Sequence, residues 1–303
     1  MKGCMRTLLG AILVTSVLFM SQSAMALPND LTLYRLGQFQ IVENEDCVNL
    51  CGFVPLDANN QPVGTEDFRN LTADLGHVFA PRLIAPSETL GQAGFAVKLM
   101  TSFSTIPNEE DYWRNGVEGR NPDPVLFTSH LQVRKGLPFS FEVVGNLSYL
   151  FASEMFAMGA DLRWALNEGF DWFPDVAVRG SVNTVVGAPE LNMINAAWDL
   201  SMSKSFGLAG VTNITPYVGY QQLYTIASTR VLNAYPQDPR PPQFSTSNPN
   251  VRFAPEFVYS QYTSQGNRFF LGGRLNTWIL SFTLEAVFGE RVNQFTFAGG
   301  FDF

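Results

Sequence analysis

From Gly94 to the carboxyl end, apolar residues alternate with polar or small ones, in segment after segment of about ten residues. A period of two sustained over that length places one face of each segment in an apolar medium and the other in a polar one. Before Lys135, for example, Val125, Phe127, Leu131 and Val133 stand opposite Thr128, His130, Gln132 and Arg134. In the next segment Phe139, Phe141, Val143, Leu147 and Tyr149 alternate with Ser140, Glu142, Asn146 and Ser148, and Lys135-Gly136-Leu137-Pro138 makes the turn between them. The last segments repeat the scheme, with Leu280, Phe282, Leu284 and Phe288 against Ser281, Thr283 and Glu285.

A soluble sandwich also alternates, but its strands run about five or six residues and its outer face is rich in charge. Here the segments are twice that length, and charged residues make up 15% of the chain against about 25% in a typical soluble domain. One or two charges stand mid-segment on each polar face, as expected of a confined lumen with lipid on the opposite side. Strands in hydrocarbon must satisfy every backbone group among themselves, which requires closure. The fold class read from the sequence is therefore all-β, a transmembrane antiparallel β-barrel over residues 92–303.

Segments at 94–103, 125–134, 139–149, 157–166, 175–186, 196–206, 215–226, 268–277, 279–288 and 294–303 give ten strands. Twelve is the alternative if an irregular stretch hides a further crossing. Even parity puts the long connections 104–124 and 227–267 outside, the turns 135–138 and 276–279 inside, and both ends of the mature chain in the periplasm. Residues 251–261 are assigned to an extracellular hairpin, because an eleventh crossing would strand the carboxyl end outside and Pro255 fits poorly in a central strand. Trp172 and Trp278 then fall at inner turns, with Tyr149 and Trp198 near outer ends, as interfacial aromatics should.

At the amino end, Lys2 and Arg6 precede the apolar run Leu8 to Met20, followed by Ala24-Met25-Ala26. The run is too short to span as a helix, and the pattern is that of a secretory signal, residues 1–26, removed to leave Leu27 first. Cys4 lies before the run, which argues against a lipid anchor. Loss of Lys2 and Arg6 takes the formal charge from -8 to -10. Cys47 and Cys51 remain, and in an exported chain a local disulfide is expected; a metal pair would need more ligands than His77 nearby.

Residues 27–91 form a separate amino-terminal segment. Phe68, Leu71, Leu75, Val78 and Phe79 recur at helical spacing and predict an amphipathic helix over 66–79, ended by Pro81. Such a helix packs simply, or acts as a plug inside the barrel or a periplasmic cap beneath it.

The carboxyl-terminal run Thr296-Phe-Ala-Gly-Gly-Phe301-Asp-Phe303 resembles the last strand of bacterial outer-membrane β-barrel proteins, with Ala298 standing where that pattern commonly has Gly. The resemblance implies a porin-like protein of the Gram-negative cell envelope, with lipid and the barrel assembly machinery as partners and Phe301 and Phe303 as the assembly signal. No motif of a particular porin, protease or lipase is present.

The lumen-lining set predicted from the alternation is Lys98, His130, Arg134, Glu142, Asp161, Arg163, Arg179, Asp199, Arg274 and Glu285. A filter selective for one ion sign would carry one sign of charge, whereas this set mixes them. The balance points to a self-satisfied ion-pair network, since buried charges are costly unless paired. No catalytic residue, metal or other cofactor is predicted: Ser129 points to the opposite face from His130, leaving no dyad. An acidic chain without Lys/Arg clusters is no nucleic-acid binder. Two functions remain: a passive channel or transporter for a small molecule, an apolar one if the lining is aromatic, or a non-transporting structural or surface-interaction barrel working through its outer loops.

Overall fold

The computed structural model describes residues 26–38, 40–42, 51–170, 172–233 and 256–303. The signal through Met25 and Cys47 with its expected disulfide lie outside the described residues. Ten strands form one barrel: β1 (Phe95–Thr105), β2 (Val125–Gly136), β3 (Phe141–Leu150), β4 (Phe156–Asn167), β5 (Asp175–Val186), β6 (Leu191–Ser203), β7 (Thr212–Thr229), β8 (Tyr262–Thr277), β9 (Leu280–Gly289) and β10 (Asn293–Asp302). Each pairs antiparallel with its neighbour in sequence, and β10 pairs with β1 from Asn293 opposite Thr105 to Asp302 opposite Ala96, closing the ring. Phe95 and Phe303 exchange backbone hydrogen bonds below that ladder, so the barrel's own two ends meet.

The alternation sorts side chains as a membrane barrel requires. Leu99, Leu162, Phe269 and Leu284 are more than half exposed on the outer face, while Lys98, Gln132, Arg134, Arg163 and Gln294 are at most 1% exposed inside. Burying the apolar face therefore falls to lipid.

β6 begins five residues earlier than the pattern places it and β8 six earlier. Their extra length, with that of β7, rises toward the long connections, where both faces carry polar residues and the alternation fades. Trp198 accordingly sits mid-strand, opposite Gly180 and Gln222, instead of near an outer end. Above β7, Leu232–Asn233 pairs with Glu256–Phe257, a small ladder within the 227–267 connection.

The two ends of the barrel differ. One carries the connections 106–124 and 230–261 and the tighter 151–155, 187–190 and 290–292; the other carries the turns 137–140, 168–174, 204–211 and 278–279. At the long-loop end Gly187 has φ +89 and packs so closely on the Glu154 carbonyl that a Cβ would stand 1.9 Å from it, so the 187–190 turn requires glycine.

The amino-terminal segment does not stay at the short-turn end, where the sequence reading put both ends of the mature chain. Residues 28–33 are strapped across the long-loop mouth: Asn29 N–H donates to Ala152 O, Gly119 N–H to Pro28 O and Thr32 N–H to Gly116 O, all at 2.9 Å. Leu33–Gly37 then forms one 3₁₀ turn. Helix α1 (Thr65–Val78) lies in the mouth, with acidic Glu66 and Asp67 in its first turn and Phe68, Leu71, Leu75 and Val78 buried. It packs against α2 (Asp111–Gly116) from the β1–β2 connection and against β7 and β8. The largest apolar cluster among the described residues, including Leu36, Phe68, Leu75, Trp113, Leu150 and Tyr259, is here, at the mouth. From Phe79 the chain leaves helical structure and runs the length of the lumen to Gly94, immediately before β1.

Candidate functional site

Below α1 the lumen contains the segment Phe79–Gly94, and the wall supplies what its backbone needs. A chain without secondary structure carries unpaired carbonyls that are costly to bury. Asn183 Nδ2 donates to Phe79 O at 2.6 Å, Gln221 Nε2 to Pro81 O at 3.0 Å and Gln132 Nε2 to Arg82 O at 3.0 Å. Further down, Arg163 donates to Pro86 O and, at 2.9 Å, to Glu88 O. Ser87 N–H and Oγ donate to Ser203 and Ser201, each at 2.9 Å, and Thr89 N–H donates to Glu168 at 2.8 Å. Hydrogen-bond partners come from β2, β4, β5, β6 and β7, donors from all but β6, whose serines accept, so the segment is held around most of the circumference.

The ten residues predicted to line the lumen are all buried, and most meet one another. Arg134 grips Glu142 through two parallel bonds of 2.8 Å, and Arg163 lies 3.5 Å from the same carboxylate. Arg179 holds Asp161 at 2.9 Å and, through Nε, Asp199 at 2.7 Å. Glu285 accepts from Tyr217 at 2.8 Å. Arg274 is paired with Glu88 of the threaded segment and lies 3.7 Å from Asp302. His130 bonds Thr128 at 3.0 Å and Ser148 at 2.7 Å. The Lys98 ammonium is buried with no protein acceptor among the described residues.

Several residues of this network are not in the predicted set. Arg82 follows Pro81 in a stretch without periodicity, and it reaches Ser102 at 3.1 Å and Thr296. Arg268 stands where the reading begins its strand, yet it is fully inside and bonds Gln221 at 3.1 Å and Gln294. Glu88, Glu168, Asp175 and Asp302 add to the acids. The seven bases Arg82, Lys98, Arg134, Arg163, Arg179, Arg268 and Arg274 thus stand against eight acids, Glu88, Glu142, Asp161, Glu168, Asp175, Asp199, Glu285 and Asp302. Rings at the wall are few: Tyr217 and Phe270 stand beside the threaded segment, while most Phe and Trp face outward. The aromatic lining that motivated an apolar solute is replaced by a polar one.

One cavity beside the threaded segment is small. Lying between Pro81–Ala85 and the wall residues Arg179, Ser201, Gln221, Arg268 and Glu285, it has a volume of about 20 Å³, room for about one water. Ser148 beside His130 is the one Ser–His contact that the sequence did not suggest, because it lies across the β2–β3 ladder. Its His is 5% exposed and carries Thr128 on the other ring nitrogen, not a carboxylate. Among the described residues no cluster of His, Cys, Asp or Glu is arranged to hold a metal ion.

At the top of the lumen, glycines make the seat for α1. A Cβ on Gly266 of β8 would stand 2.5 Å from His77 Nε2, and one on Gly76 would stand 2.1 Å from Thr225 Oγ1 of β7. The His77 ring is enclosed there, and burial, followed by the positive charges of Arg268 and Arg291, pulls its pKa down to about 3. Arg291 meets Asp74 of α1 at 2.5 Å, and Tyr112 and Trp113 of α2 donate to the same carboxylate at 3.0 and 2.9 Å.

No protein-family model matches the chain, and no curated protein matches it. Solved structures with which it aligns are outer-membrane barrels. The attachment invasion locus protein Ail of Yersinia pestis is 9% identical, with 70% of this chain and 99% of that chain covered and a TM-score of 0.27. A KdgM porin in complex with oligogalacturonate is 6% identical over 69% and 99%, with a TM-score of 0.32. The beta domain of the Bordetella autotransporter BrkA is 11% identical over 70% and 98%, with a TM-score of 0.37. At these scores the likeness adds nothing to the closed ten-strand barrel described above.

Proposed function

We propose that the protein is a bacterial outer-membrane barrel kept closed by its own amino-terminal segment, a non-enzymatic surface-interaction protein that works through its long-loop mouth. One observation carries this: the wall spends Asn183, Gln221, Gln132, Arg163, Ser201 and Ser203 on the backbone and side chains of Phe79–Thr89. A wall shaped to hold a chain is poorly suited to passing a solute. The core at the mouth, joining α1, α2 and the Leu33–Gly37 turn, then makes a rigid platform from the loops, the part open to partners. Phe301 and Phe303, stacked at 6.3 Å on the closing strand, fit the role of assembly signal for the machinery that inserts such barrels.

The second reading is gated passage. It is favoured by the character of the plug contacts, which are hydrogen bonds and ion pairs that water can replace, in a nearly charge-balanced polar lumen suited to small hydrophilic solutes. Planar-bilayer recording distinguishes the two. The full chain is expected to show no steady conductance, and a chain lacking 27–91 to show stable openings. Steady current through the full chain, abolished by a Ser87→Cys/Ser201→Cys cross-link, would establish gated passage instead.

A further inference from the structure

We infer that the mature chain begins at Leu27 and displays that amino terminus on the outer face of the membrane, where the carboxylate of Asp30 holds its new ammonium. The inference rests on the reading that the long-loop end faces outward. It starts from the path of the chain: residue 27 is at the long-loop mouth, residue 95 at the short-turn end, and Phe79–Gly94 fills the lumen between them. A leader still attached and anchored on the inner side would need a second passage through a lumen that Phe79–Gly94 already occupies, bonded to side chains of β2, β4, β5, β6 and β7. The end at the mouth must therefore be a free one.

The local geometry is built for such an end. Leu27 N lies 2.6 Å from Asp30 Oδ2, while Oδ1 of the same carboxylate accepts Glu154 N–H at 2.7 Å. Pro28 and Asp30 are tied to the adjacent Gly119 and Glu118 of the 106–124 connection, and Asn29 to Ala152 of the 151–155 turn. Ala26, the last residue of the small-x-small pattern, is exposed beside this anchored segment. Cleavage adds water across the Ala26–Leu27 peptide bond, leaving a carboxylate on Ala26 of the leader and an ammonium on Leu27; a membrane-bound endopeptidase accepting Ala24 and Ala26 supplies the catalysis. A charged donor on Asp30 is stronger than the neutral amide it replaces.

The lysines make the inference testable at a single atom. The chain has Lys2, Lys98, Lys135 and Lys204 only. Lys2 leaves with the leader and Lys98 is buried in the lumen. Lys135 donates to Gln92 O and Gly94 O, and Lys204 to Phe170 O and Phe173 O, all at the short-turn end. After cleavage the Leu27 α-amine is the one amine at the mouth.

Intact cells expressing the full chain are treated with a polyethylene-glycol active ester too large to cross the outer membrane, and labelled peptides are identified by mass spectrometry. The expected result is label on Leu27 alone, with Lys135 and Lys204 labelled only after permeabilisation, and at least about threefold faster labelling of Leu27 at pH 7 in Asp30→Asn, whose amine gives up its proton more readily. A chain isolated from the outer membrane that begins elsewhere overturns the cleavage site. Label on Lys135 and Lys204 in intact cells, with Leu27 protected, overturns the outward orientation and this inference with it. Leu27 labelled only after permeabilisation, together with both lysines, overturns the display while leaving the barrel reading intact.

Discussion

Replacing Arg179 with Met asks whether the lumen is a closed network or a hydrated one. Arg179 on β5 is 3% exposed and neutralises Asp161 and Asp199 at 2.9 and 2.7 Å. Methionine keeps most of the length and apolar stem and removes the charge. The carboxylates keep neutral donors only, Asn146 at 3.0 Å to Asp161 and Gln221 at 3.3 Å to Asp199. Breaking a buried pair by deleting one partner costs about 3–5 kcal/mol, because the remaining charge is uncompensated. An exposed pair costs about 0–1 kcal/mol, so the two pictures differ well beyond experimental error. The assay is reversible urea unfolding in lipid vesicles, read by tryptophan fluorescence. Adding Asp161→Asn and Asp199→Asn should recover most of the loss, since removing a whole buried network is often near neutral. A single-variant loss below about 1 kcal/mol, or no recovery in the triple variant, would refute the reasoning.

Other outcomes follow from the seat of α1 and from the outer face. Gly266→Ala pushes a methyl to 2.5 Å from the enclosed His77 ring, whereas Gly273→Ala on the same strand meets nothing within 4 Å. The first should cost about 1–3 kcal/mol and expose Arg69 in α1 to trypsin, the second neither. His77 is neutral when docked, with a pKa of about 3, so the undocked chain binds the extra proton at mildly acid pH. Docking is complete above pH 6.5 and weakens by about 1.4 kcal/mol per unit below it, levelling off near pH 3. Hydrogen exchange of the α1 amides at pH 7 and pH 5, in a His130→Gln background, should show that loss of protection, and His77→Gln should remove it. Leu162→Arg, mid-strand and 53% exposed, should cost about 2–4 kcal/mol in vesicles if that face meets lipid; a surface in water would register about 0.5 kcal/mol or less.

The barrel was legible because its signal is local and repeated. Each strand states its two faces by alternation, and Arg134, Glu142, Asp161, Arg163 and Arg179 could be assigned to the lumen one strand at a time. Partners could not be read in the same way. Arg179 meets Asp161 across β4–β5 and Asp199 across β5–β6, which depends on register, and register is set by turns such as Phe139-Ser140, whose positive φ angles no glycine announces. The helix over 66–79 was visible from Phe68, Leu71 and Leu75, but where it docks was not. Its seat is made by the absence of side chains at Gly266 and Gly289, and a glycine in a strand has several readings. The threaded segment was the least legible part. Residues 79–94 have no period, because their backbone is satisfied by side chains of many strands and not by a ladder of their own.

The central claim is that Phe79–Gly94 fills the lumen in the membrane, and trapping it there tests that most directly. Ser87 and Ser201 touch through their hydroxyls at 2.9 Å, with Ser87 on the threaded segment and Ser201 on the inner face of β6. In Ser87→Cys/Ser201→Cys, oxidation of intact envelopes followed by peptide mass spectrometry should recover the 87–201 disulfide from most of the protein, with neither thiol reached by a soluble maleimide beforehand. Two thiols that react freely with the maleimide and yield no cross-link would mean that the segment lies elsewhere and the lumen is open.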